Sequence, residues 1–169
     1  MSTIITPERP DTADALSLIA ELETYLTALY PTESCHGYSV EKLIAEGVAF
    51  FVIRHNGMPA GCGGIKLFGT EYGEIKRIYV RPEFRGLGLG TRMLEHLADY
   101  ARSQGMGLLR LETGIYQHDA IGLYEGLGYK RIPPFGDYGK DPLSIFFEKR
   151  IYKFLLSLLF ATTSIATAL

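Results

Sequence analysis

The run Arg85-Gly86-Leu87-Gly88-Leu89-Gly90-Thr91 carries the plainest chemical signal in this chain. Glycine lets backbone N–H groups turn toward a bound group with no Cβ in the way. A glycine loop that feeds a helix N-terminus is an anion site, because unpaired N–H groups and the helix dipole both favour negative charge. The loop lacks the Lys-Ser/Thr pair of a P-loop. Its glycines run G-x-G-x-G rather than G-x-G-x-x-G, and no second βαβ unit follows, so neither a Walker nor a dinucleotide-binding site is indicated. What remains is Arg85, Gly88 and Gly90 in the pattern Arg-x-x-Gly-x-Gly, after a strand end that reads Val80-Arg81-Pro82.

The elements that must position this loop are legible on both sides. Glu74–Val80 is rich in β-branched and aromatic residues and predicts a strand. Met93, Leu94, Leu97, Ala98 and Ala101 recur at helical spacing, and Gly105 supplies the stop. Upstream, Asp11 or Thr12 can cap a helix running to about Tyr30, with Ala15, Leu18, Ile19, Leu22, Leu26 and Leu29 as its apolar stripe. Ser39 can cap a second, short helix. Ala49–Arg54 and Ala60–Phe68 flank Asn56-Gly57 and predict a hairpin. Gly61, Gly63 and Gly64 in the return strand suggest a bulge or a close backbone approach. Downstream, Leu108–Thr113 reads as a strand, Asp119–Leu127 as a helix, and Tyr129–Ile132 and Ser144–Ile151 as strands. The expected order therefore begins helix, helix, strand, strand, strand, and the fold class is mixed α/β.

Composition narrows the partners. At 169 residues with 47% hydrophobic and 21% charged content, a single domain with a sizeable core is expected. A net charge of -2 gives no bulk attraction to nucleic acid. Cys35 and Cys62 stand in unlike contexts, so no disulfide framework is indicated and a reducing cytoplasm is the expected location. Histidines 36, 55, 96 and 118 are scattered, no Cys/His cluster appears, and no metal is expected. Residues 1–151 read as one domain. Phe154–Leu169 is apolar apart from Ser and Thr, and is shorter than the roughly 20 residues that span a bilayer. It reads as a loosely packed extension, with dimer packing and a membrane anchor as the alternatives.

Two motifs together resemble a known family. Arg85, Gly88 and Gly90 match the Arg/Gln-x-x-Gly-x-Gly/Ala signature of the GNAT superfamily of N-acetyltransferases. Ala120–Tyr129, AIGLYEGLGY, looks like its second signature, A-x-x-L-Y-x-x-x-G-F/Y. The resemblance covers roughly residues 12 to 151. The strings ESCH, GEIKR, LETG and PFGDYGKDPLS further resemble a bacterial subgroup that carries an indoleacetate-related acetyltransferase label. Gln117 stands where many members have Asn, offering the same amide chemistry on a longer stem.

The resemblance implies a mostly antiparallel, twisted sheet flanked by helices, and an acetyl-CoA-dependent N-acetyltransferase. It implies that pyrophosphate sits on the N–H groups of Arg85, Gly86, Leu87, Gly88, Leu89 and Gly90, with Thr91 adding a hydroxyl. Ile78, Tyr79 and Val80 would offer backbone to pantetheine, with Gln117 nearby, and Tyr124 would stand beside the sulfur as the acid for the leaving thiolate. Glu74 and Glu112 are the candidate bases; salt-bridged strand carboxylates beside Lys76 and Arg110 are the other reading of that pair. The acceptor, a small polar amine rather than a protein amine, is expected between Tyr30–Tyr38 and Pro133–Tyr138, with Glu33, His36 and Tyr138 as contacts and Asp137 and Arg131 as further charged groups. A non-catalytic acyl-CoA sensor is the rival reading.

Overall fold

The computed structural model describes residues 1–31, 34 and 37–151. Among these, strands β1 (Thr3–Pro7), β2 (Ala49–His55), β3 (Met58–Phe68), β4 (Tyr72–Val80), β5 (Leu108–Gly114), β6 (Lys130–Ile132) and β7 (Ser144–Arg150) form one sheet in the order β1-β2-β3-β4-β5-β7-β6. Every pairing is antiparallel except β4 with β5. Helices α1 (Ala13–Leu29), α2 (Val40–Ala45), α3 (Leu89–Ser103) and α4 (His118–Gly126) complete the fold.

The sheet separates two cores. In β2, Phe51 and Ile53 pack toward α3 and α4, while Phe50 and Val52 pack toward α1 and α2. Side chains alternate across a strand, so AFFVI with both faces covered must be apolar throughout. The α3 stripe of Met93, Leu94, Leu97, Ala98 and Ala101 is buried as its spacing predicts. So are Ala15, Leu18, Ile19 and Leu22 of α1. Thr12 accepts from the Ala15 amide and Ser39 from the Lys42 amide, and Asn56-Gly57 makes the hairpin turn.

One element departs from the expected order, since the chain opens on a strand. β1 covers only TIITP at the sheet edge, and its first residues are partly exposed. Five residues ending in proline carry too little periodicity to read locally, and edge position is the place a sheet tolerates proline. The apolar segment 152–169 lies outside the described residues. No helix of the described residues is long and apolar enough to cross a membrane.

The sheet is distorted where the site will be. β4 and β5 pair only over Gly73–Ile75 against Leu109–Leu111. Beyond Ile75 the two strands part, and Lys76–Val80 keeps a strand partner on the β3 side alone. Opposite the gap, Cys62 pairs with Tyr79 and Gly64 with Lys76, so Arg77 and Ile78 face Gly63 together. This is a β-bulge, and Arg77 sits in it at φ 57. The bulge resolves a phase conflict in the sequence. Ile75 and Ile78 both pack on the α3 side although they are three residues apart, so an extra residue must be absorbed between them. Arg77 is anchored in that conformation by an ion pair with Glu23 of α1 and by donating to the Tyr38 carbonyl.

The far side of the gap is fixed by Tyr30, which follows α1. Its hydroxyl accepts from the Tyr116 amide at 2.9 Å, and its ring stacks on Tyr116. The Tyr30 ring passes so close to Gly114 that a Cβ there would collide with Cζ and the hydroxyl oxygen. Gly114→Ala is therefore expected to destabilise the chain by about 1–3 kcal/mol through overpacking. A lower urea midpoint at unchanged m-value would show it; an unchanged midpoint would mean that Tyr30 yields at no cost.

Candidate active site

Three chambers adjoin the opening between the parted strands. The outermost, about 380 Å³, is bounded by the glycine loop, by Ile78, Tyr79 and Val80 of β4, and by Gln117, Ala120 and Leu123 at the start of α4. Gly86 and Gly88 hold φ values of 78 and 74, in the left-handed region, and Gly88 is the N-cap of α3 with no side chain to cap it. The first N–H groups of a helix have no intrahelical partner. Here they open onto the groove from a loop whose backbone glycine alone adopts readily. The Arg85 side chain donates from Nε to the Val80 carbonyl at 3.1 Å and lies over the Tyr25 ring.

Of the residues expected to hold the donor, Ile78, Tyr79, Val80, Arg85, Gly86, Gly88, Leu89, Gly90, Thr91 and Gln117 line this chamber. Leu87 does not: its side chain points out and is half exposed. The Leu89 side chain is buried in the core beneath α3, so only its backbone is available.

The second chamber, about 110 Å³, shares Leu22, Ile78 and Gln117 with the first and reaches Tyr124, Glu112, Lys76, Tyr38 and Tyr138. Tyr124 projects from α4 and is 5% exposed, with its ring against Tyr129 and Phe147. Among the described residues no hydrogen bond engages its hydroxyl. Burial, with Glu112 adding to it, raises its pKa, so the phenol keeps its proton. Glu112 on β5 accepts from the Ser144 hydroxyl at 2.7 Å. Arg110, expected as a partner of this carboxylate pair, instead binds Glu148 of β7 at 2.9 Å.

The third chamber, about 370 Å³, lies on the other side of Lys76, Tyr38 and Tyr138 and is walled by Phe68, Tyr72, Phe135, Glu74, Glu46 and Asp137 among others. Glu74 belongs here rather than to the chamber of Tyr124. It is the third residue of β4, not the first, and is 3% exposed. Its Oε1 accepts from Lys76 Nζ at 2.5 Å and from the Tyr138 hydroxyl at 2.6 Å. Lys76 Nζ also donates to the Tyr138 hydroxyl at 2.9 Å. Glu74 is thus a buried, paired carboxylate and not a solvated one. Burial lowers the pKa of Lys76 even against the pull of Glu74, and raises that of Tyr138 with Glu74 reinforcing the shift. The Tyr38 hydroxyl donates to Glu46, and burial with this bond pushes its pKa up to about 12.

Sequence reasoning treated Lys76 only as a neighbour of Glu74 and missed its place in the wall between chambers. The signal existed, since residues two apart on a strand share a face. Arg131, expected near the acceptor, is bound to Glu125 of α4 and lines none of these chambers. Glu33 and His36 lie outside the described residues. Among the described residues no group of three or more His, Cys, Asp or Glu side chains could hold a metal. Cys62 is a buried free thiol whose hydrogen bonds to the Arg77 carbonyl, with a pKa pushed up to about 12 by burial.

Comparison with known proteins agrees with this fold. Residues 16–129 match the Acetyltransferase (GNAT) family. The chain is 45% identical over 147 residues to a protein of Azospirillum brasilense named IAA acetyltransferase, covering 86% of this chain and 95% of that one. It is 34% identical over 138 residues to an uncharacterized N-acetyltransferase of Bacillus subtilis (strain 168), covering 80% and 91%. A crystal structure from Klebsiella pneumoniae, named an acyl-CoA N-acyltransferase, superposes with a TM-score of 0.75 at 37% identity, covering 89% of this chain and 98% of that one. The PaiA N-acetyltransferase of Thermoplasma acidophilum, solved with coenzyme A, shares the fold with a TM-score of 0.71 at 19% identity, covering 89% and 100%. Matched across most of its length by sequence and by architecture, the chain belongs to the GNAT family and is an acyltransferase.

Proposed function

We propose that this acyltransferase moves the acetyl group of acetyl-CoA to the amine of a small polar molecule. The observation that carries the reading is the parting of β4 from β5, with the glycine loop at one end of the opening and Tyr124 at the other. In this reading the loop amides and the α3 N-terminus hold pyrophosphate, and the free edge of Ile78–Val80 bonds the pantetheine arm. Arg85 and Thr91 flank the phosphates, and Gln117 faces the arm across the groove. The buried free thiol of Cys62 suits the reducing cytoplasm in which we place the enzyme.

The chain's residues then divide the proton work. A lysine-like amine costs about 4.6 kcal/mol to neutralise at pH 7. Glu74 and Glu112 stand on either side of the wall formed by Lys76 and Tyr138, so either can take the amine proton directly or through water. A positioned base contributes typically 10²–10⁴ in rate. Tyr124, held protonated by burial, donates to the departing thiolate. Tyr138, touching both inner chambers, and the segment carrying Glu33 and His36 would orient the acceptor.

The test is a panel of small amines incubated with the protein and acetyl-CoA, following thiol release and confirming the acetylated product by mass spectrometry. Amine-dependent thiol release is expected. Acetyl-CoA binding without release for any amine would make the chain a sensor and overturn the reading.

A further inference from the structure

The inner wall of the site already holds an ammonium that belongs to the chain. Lys76 Nζ is bound to Glu74 Oε1 at 2.5 Å and to the Tyr138 hydroxyl at 2.9 Å. It lies 4.4 Å from the centre of the Tyr38 ring and 5.3 Å from that of Tyr138. A buried carboxylate, a phenol and two aromatic faces are the groups that recognise an ammonium. Lys76 fills this cradle, and its side chain lines the same 110 Å³ chamber as Tyr124 and Ile78. An amine-binding cradle, an amine and an acyl-transfer chamber therefore coincide on one residue.

We propose that Lys76 is itself an acetyl acceptor: with acetyl-CoA bound and no other amine present, the chain acetylates its own Lys76. The inference rests on the acetyl-CoA reading above. In the step, the Glu74 carboxylate takes one proton from the ammonium. The freed Nζ pair forms a bond to the thioester carbonyl carbon, and the carbon–sulfur bond breaks with its electron pair on sulfur. Tyr124 gives its proton to that thiolate, and the second proton leaving nitrogen restores the phenol. The products are an amide at Lys76 and free CoA thiol, and Glu74 returns its proton to solvent.

Burial eases the loss of that proton relative to an exposed lysine. Nζ is faced by Glu74 on its own strand, by Glu112 on β5, by Lys66 on β3, and by the phenols of Tyr38 and Tyr138. Burial depresses the lysine pKa and Lys66 pushes the same way, against the two carboxylates. Acetylation would remove the cation from buried Glu74 and fill the chamber next to Tyr124. A chain left with donor alone would thereby switch itself off, and an exogenous amine would protect it by consuming the acetyl group first.

The experiment incubates the full chain with acetyl-CoA and no amine, then maps acetyl-lysines over time by peptide mass spectrometry. Lys130 and Lys140, both exposed, report direct reaction of surface amines with the thioester. Lys76 is expected to be modified at least about tenfold faster than either, as assisted acyl transfer requires. Its rate should rise at lower pH than theirs. Tyr124→Phe should slow Lys76 and leave Lys130 and Lys140 unchanged. Lys76 left unmodified, or modified no faster than the exposed lysines, overturns the inference. Amine-dependent thiol release in parallel samples then shows that the enzyme reading survives, and its absence takes both down together.

Discussion

Gly88→Glu is expected to abolish acetyl-CoA binding in a chain that still folds. A Cβ built on Gly88 meets nothing within 4 Å, so the fold has room for the side chain. The backbone there sits at φ 74, where a non-glycine residue is strained by about 1–3 kcal/mol. The carboxylate would enter the chamber bounded by Arg85, Gly86 and Gly90. Two like charges about 4 Å apart repel by about 4 kcal/mol at an effective dielectric near 20, roughly 10³ in affinity. Gly88→Ala separates the two causes, since it carries the backbone strain without the charge and should lose far less affinity. Calorimetric titration beside thermal unfolding measures both. Unchanged affinity in a folded Gly88→Glu chain would remove the glycine loop from the donor site.

Tyr124→Phe is expected to lower activity while leaving stability about unchanged. The ring keeps its contacts with Tyr129 and Phe147, so acetyl-CoA affinity should hold. The proton donor is lost, and kcat should fall by about 10²-fold or more. The hydroxyl-bearing ring lines the inner chamber, and no hydrogen bond engages the hydroxyl among the described residues, so deleting it should leave stability about unchanged. A residue that served packing alone would show full turnover. Single-turnover thiol release and denaturant titration on one preparation decide between them.

Much of this was legible because its causes are local. Thr12 and Ser39 cap their helices, Asn56-Gly57 makes its turn, and the α3 stripe is buried, each through neighbours within a few positions in the chain. The glycine loop and the helix it opens were placed for the same reason. Strand β1 was missed because its only evidence is the partner it finds at β2, some fifty residues later. The bulge at Arg77 was half visible, in the three-residue spacing of Ile75 and Ile78, but its φ is held by Glu23 and by the Tyr38 carbonyl.

By itself, then, the sequence determined most of the elements, their caps and turns, and the glycine loop that opens α3, since each depends on short-range periodicity and backbone preference. The tertiary structure alone decided where Glu74 points, what it binds, and that Lys76 and Tyr138 divide the inner site. Tyr138 stands 62 residues from Lys76 and 64 from Glu74, on a loop with no local reason to approach β4. What brings it there is the burial of Phe135 and Phe146 against Tyr72. That packing sets the protonation of the site, because desolvation acts on whichever charges the fold encloses together, whatever their distance along the chain.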